Sequence, residues 1–119
     1  MFKNILLVGL GGFLGTIIRF LFYQIIKSTE SYPVTLLINV IGSLIIGIII
    51  ALNLKHGLNN QWKLFLATGV CGGFTTFSSF SIENLQLIQQ GKFGFSLLLI
   101  LSSVFISIIA AYIGYKIAN

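Results

Sequence analysis

From Pro33 to Leu54, and again from Phe93 to Tyr115, the chain runs without one charged residue. About 20 apolar residues wound as a helix cross the hydrocarbon of a bilayer, so both stretches are long enough to span one. In hydrocarbon the backbone must satisfy its own hydrogen bonds, which leaves helices as the structure for such runs. Two further segments qualify with interruptions: Phe2 to Ile26 carries only Lys3 and Arg19, and Leu64 to Ile82 is charge-free but contains Gly72-Gly73 and Thr75-Thr76. The expected fold is an all-α integral membrane protein, a single transmembrane domain over residues 1–119 with spans at about 2–26, 33–54, 62–90 and 93–117.

The composition, 56% hydrophobic and 8% charged, lies outside the soluble globular range. The start, Met1-Phe2-Lys3-Asn4, is basic and then apolar like a secretion signal, but no small-x-small cleavage site follows, so it is read as the first span. A single cysteine, Cys71, and a single histidine, His56, provide neither a zinc site nor a nucleophile with its base, which argues against an enzyme. The formal charge of +5 is scattered over span ends, which makes no patch for nucleic acid. Lys3, Lys55, Lys63 and Lys116 fall on one side of four spans, and Lys27 and Lys92 on the other. So small a bias does not fix one orientation, and insertion in both is expected.

Adjacent glycines and threonines predict that the third span breaks at 72–76, because both residue types are unfavourable inside helices. Such a break is tolerated in a membrane only where protein buries it or where it lines a polar path, so it marks the candidate site. Beyond it, Thr76, Ser79 and Glu83 follow one another at helical spacing as a polar track, with Phe77 and Phe80 beside them. The phenylalanines read either as ordinary packing or as ring edges turned toward an anion. Glu83 reads either as a span-end carboxylate reaching water or as part of the track.

In the second span Asn39, Ser43, Gly47 and Ala51 recur every four residues, a face that meets protein and not lipid. The Asn39 amide suits either an interhelical hydrogen bond or the solvation of an anion in a dry pore. In the first span Gly11 and Gly15 form a small-xxx-small pair that predicts close helix contact. Arg19, well inside that span, either snorkels to the headgroups or binds carbonyls and anchors the polar helix. Ser103, Ser107 and Ala111 give the fourth span a similar packing face, and whether either serine lines a pore stays open.

The stretch Gly72-Gly73-Phe74-Thr75-Thr76-Phe77-Ser78-Ser79-Phe80-Ser81 resembles the signature of the small bacterial fluoride channels, the Fluc or CrcB family. Gly12-Phe13-Leu14-Gly15 with Arg19-Phe20, and Thr35-Leu36 with Asn39 and Gly42-Ser43, resemble the family's first and second spans. Departures are mild: Phe20 where tyrosine is common, Thr16 where alanine is, and Ser79 where threonine is. The resemblance implies a fluoride-selective channel of the inner membrane, an antiparallel, dual-topology homodimer surrounded by lipid with two pores. It further implies Phe77 and Phe80 as pore phenylalanines, Asn39 as the amide facing the anion, and Ser78, Ser79 and Glu83 in the polar region nearby. Gly72 and Thr75 would lend backbone carbonyls to a structural sodium ion at the dimer centre.

The alternative of the same size is a dual-topology multidrug antiporter, which needs a membrane-buried carboxylate. Only Glu83 is available, near a span end, and Arg19 would repel a cationic drug. A purely structural subunit, whose small residues merely pack helices, would transport nothing.

Overall fold

A computed structural model describes residues 1–119. Helices α1 (Phe2–Ile25), α2 (Tyr32–His56) and α6 (Phe93–Ala118) are continuous, with 24, 25 and 26 residues. At 1.5 Å per residue they reach roughly 36–39 Å, more than the hydrocarbon thickness. The third span is composite: α3 (Asn60–Lys63), a π-helical run Leu64–Cys71, α4 (Gly72–Phe74), an extended step, and α5 (Ser78–Gln89). All four spans are long and apolar enough to cross a membrane, and the chain has no strand.

The span ends follow from local chemistry. Pro33 lies in the first turn of α2, where the N–H it lacks has no helical partner. Gly57 ends that helix in the left-handed region at φ 68, returning its N–H to the Asn53 carbonyl. Asn59 starts α3 by accepting the Gln61 N–H at 2.8 Å.

The expected break at 72–76 is shifted toward the C-terminus. Gly72 and Gly73 remain helical, the backbone turns extended at Thr75 (φ −76, ψ 156), and the helix resumes at Ser78. Gly73 serves close approach instead: a methyl on it would lie 2.4 Å from the Gly12 carbonyl oxygen. Helix propensity therefore yields here to the packing of α1 on α4.

Two close pairings organise the subunit: α1 lies along the π run and α4, while α2 lies along α6. The predicted Gly11 and Gly15 contact is present, since a methyl on either would come within 2.4 Å or 2.1 Å of the Phe65 or Val70 carbonyl oxygen. Gly47 on α2 and Gly114 on α6 repeat the device, meeting the Ala111 and Leu44 carbonyls. A small core of Val34, Ile38 and Phe74, flanked by Phe22 and Tyr23, joins the two pairs. Phe22 meets Phe74 edge-on, with ring centroids 5.2 Å apart. Only 11% of the first span's apolar window and 39% of the second's are buried, so most helical surface faces lipid or another chain.

Candidate functional site

Where the third span breaks, the Asn39 side chain takes over the backbone pairing. Its Nδ2 donates to the Thr76 carbonyl at 3.0 Å and its Oδ1 accepts the Thr76 N–H at 2.9 Å. In an unbroken helix that N–H would bond to Gly72, four residues back. The Ser79 N–H, which would likewise reach Thr75, bonds instead to Thr76 Oγ1 at 3.2 Å. The carbonyls of Gly72 and Thr75 thus lose their helical donors, while the Thr75 hydroxyl folds back onto the Cys71 carbonyl at 2.8 Å.

A groove of about 440 Å³ opens along this break. Asn39 and Ser43 of α2 line it, with Thr76, Phe77 and Phe80 from the third span and Ser103 and Ser107 from α6. Gly72 and Thr75 border it as well. The Phe77 and Phe80 rings tilt at 44° with centroids 5.6 Å apart, and Phe77 is 78% exposed. Packing within the subunit therefore does not account for Phe77. Ser103 Oγ is buried without a hydrogen-bond partner, and both α6 serines left open by their spacing face this groove.

The polar track divides. Thr76 Oγ1 lies 3.2 Å from Ser78 Oγ and 3.3 Å from Ser79 Oγ, a local cluster of hydroxyls. Glu83 turns away from it to the start of α2, accepting Ser31 Oγ at 2.7 Å and Thr35 Oγ1 at 2.5 Å on its Oε2. The reading of Glu83 as a carboxylate reaching water is corrected, because only 6% of the residue is exposed. The competing pull came from hydroxyls on a different span, which spacing along its own helix does not reveal.

Arg19 is half-buried and reaches neither the groove nor the Glu83 hydroxyls. Sequence reasoning missed Tyr23, whose hydroxyl is 2.5 Å from Thr35 Oγ1, and the role of Ser31. It also missed the link from α5 to α6, where Ser96 donates to Asn84 Oδ1 at 2.9 Å and Asn84 donates to the Phe80 carbonyl at 2.8 Å. For Tyr23 and Ser96 a polar group inside an apolar span was the available signal, since such a group needs a partner, whereas Ser31, in the polar turn before α2, offered none.

Four apolar spans and a groove of hydroxyls, one amide and two phenyl rings at a helix break define a small multi-pass membrane protein of the ion-conducting class. The donors are neutral, suited to a small anion. Residues 6–115 match the family described as CrcB-like protein, Camphor Resistance (CrcB), and the chain belongs to that family. It is 42% identical to the fluoride-specific ion channel FluC of Thermus thermophilus over 98% of this chain and 96% of that protein. The protein of the same name from Campylobacter jejuni is 40% identical over 98% of each chain. That of Azobacteroides pseudotrichonymphae is 41% identical over 97% of this chain and 95% of its own length.

Proposed function

We propose that this chain is a fluoride-selective channel of the plasma membrane that lets fluoride leave the cell passively and so limits its toxicity. It is a transporter and not an enzyme. The observation that carries the reading is the unpartnered Ser103 hydroxyl, buried in the same groove as Asn39 and the exposed Phe77 ring. A buried hydroxyl left unpaired costs free energy, and a small anion accepting its proton would recover it.

Fluoride holds its water tightly, so passage requires donors that replace that water one by one. The Asn39 amide has a second N–H beyond the one given to Thr76, and Ser43, Ser103 and Ser107 supply hydroxyls beside it. Near Ser78 and Ser79 the ring edges of Phe77 and Phe80 carry positive partial charge, which favours a small anion in a space too apolar for water.

A second copy of the chain closes the groove. The exposure of Phe77 and the open wall of the groove support an antiparallel homodimer with two such paths. The Gly72 and Thr75 carbonyls, relieved of their helical donors, suit a sodium ion at the centre of that dimer, where each copy would supply oxygens and the ion would hold the breaks together. The antiporter alternative lacks support, because the one carboxylate within a span is engaged by two hydroxyls.

The experiment is efflux from liposomes holding the purified protein, read with a fluoride electrode beside a chloride-loaded set, with sodium present. Rapid voltage-driven loss of fluoride with chloride retained is the expected result. A correctly folded protein that releases no fluoride would overturn the proposal.

A further inference from the structure

Glu83 lies one helical turn beyond Phe80, yet its carboxylate is held away from the groove by two residues at the start of α2. Oε2 receives the hydroxyls of Ser31 and Thr35, and the buried Oε1 has no partner. Ser31 is the residue that begins α2, so the carboxylate also sits at a helix N-terminus, whose partial positive charge favours it.

The proton count fixes the direction of the remaining bond. Thr35 has one hydroxyl proton, and it is donated to Glu83 Oε2. In the contact between Tyr23 and Thr35, Tyr23 must then be the donor. The donors run from Tyr23 on α1 to Thr35 on α2 to Glu83 on α5.

We propose that Tyr23 is a positioning residue for fluoride passage: its hydroxyl orients Thr35 onto Glu83 and keeps that carboxyl group anchored beside the start of α2. The proposal rests on the third span being the anion path. Tyr23 itself lies outside the groove, so it acts through Thr35. Released from the relay, Thr35 is no longer held in register with Glu83, and a carboxyl group one turn from Phe80 is freer to swing toward the path, where its acceptor oxygens oppose an anion. Anchored, the same group is held by two hydroxyls at the start of α2.

The test is Tyr23→Phe, which removes the hydroxyl and keeps the ring packed against Val34, Ile38 and Phe74. Fluoride efflux from liposomes should slow roughly five-fold, the factor that one neutral hydrogen bond carries. In a Glu83→Gln background the same substitution should change efflux by less than about two-fold, since neighbours that act through each other are not additive. Equal slowing in both backgrounds would overturn the proposal. Infrared difference spectra provide a readout that needs no transport. The carboxylate band that vanishes in Glu83→Gln should shift in Tyr23→Phe, and an unshifted band would overturn the relay. Unmodified protein that passes no fluoride would instead overturn the ion-path reading, with the infrared band still reporting on Tyr23.

Discussion

Asn39 and Thr76 are joined by a pair of hydrogen bonds, 3.0 Å and 2.9 Å long, in which a side-chain amide stands in for the backbone of a neighbouring helix turn. The pair lets a span break inside hydrocarbon with its N–H and carbonyl at residue 76 both satisfied.

Asn39→Ala should therefore damage the fold as well as conduction. It strands both Thr76 groups, at about 1–3 kcal/mol each. Thermal unfolding in detergent should shift down by several degrees, and fluoride efflux should fall at least ten-fold. An unchanged unfolding temperature would show that the break is held by something else.

Phe77→Ile should separate conduction from stability. The ring is 78% exposed in the subunit, so its loss costs the fold little. Fluoride efflux should drop by an order of magnitude or more while size-exclusion chromatography still finds the proposed dimer. Loss of the dimer with normal flux from the remaining assembled protein would make Phe77 a packing residue.

Ser103→Ala removes a buried hydroxyl that has no partner within the chain. Such a change relieves an unpaired group, so the unfolding temperature should hold or rise. Fluoride efflux should nevertheless fall several-fold, because a donor facing the groove is gone. A variant with full flux would exclude Ser103 from the path.

Gly15→Ala tests the packing of α1. The added methyl would lie 2.1 Å from the Val70 carbonyl oxygen and 2.7 Å from the Phe74 nitrogen, and backbone must move to admit it. A cost of about 1–3 kcal/mol is expected, visible as a lower unfolding temperature. Gly9→Ala, with no atom within 4 Å of the new methyl, is the control that should hold or raise stability, since alanine favours a helix more than glycine does.

The spans and the Gly11–Gly15 contact were legible because both are local patterns: charge-free runs of membrane length, and small residues one turn apart. Asn39 was legible as a polar group needing a partner, although spacing could not choose between a helix and an anion. Helix propensity placed the break over 72–76, glycines and threonines together, and only the threonine end of that stretch leaves the helix. That placement ignored Gly12, which sits opposite Gly73 from a span some 60 residues earlier. The partners of Glu83 were hidden for the same reason, since Ser31 and Thr35 are brought to it only by the bundle. Nothing in Leu64-Phe65-Leu66-Ala67-Thr68-Gly69-Val70-Cys71 announces π winding, because no residue in it is special to that geometry.

The π run from Leu64 to Cys71 bears on which changes of length the third span can absorb. In an ordinary helix, removing one residue turns everything beyond it by about 100°, which would swing Phe77 and Phe80 off the groove. A π turn already carries more residues than an α turn. Losing one lets it rewind to α geometry with the following segment still facing the same way. The run therefore acts as a reserve of chain length just ahead of the site, where a single-residue deletion can be taken up without re-aiming the residues that follow.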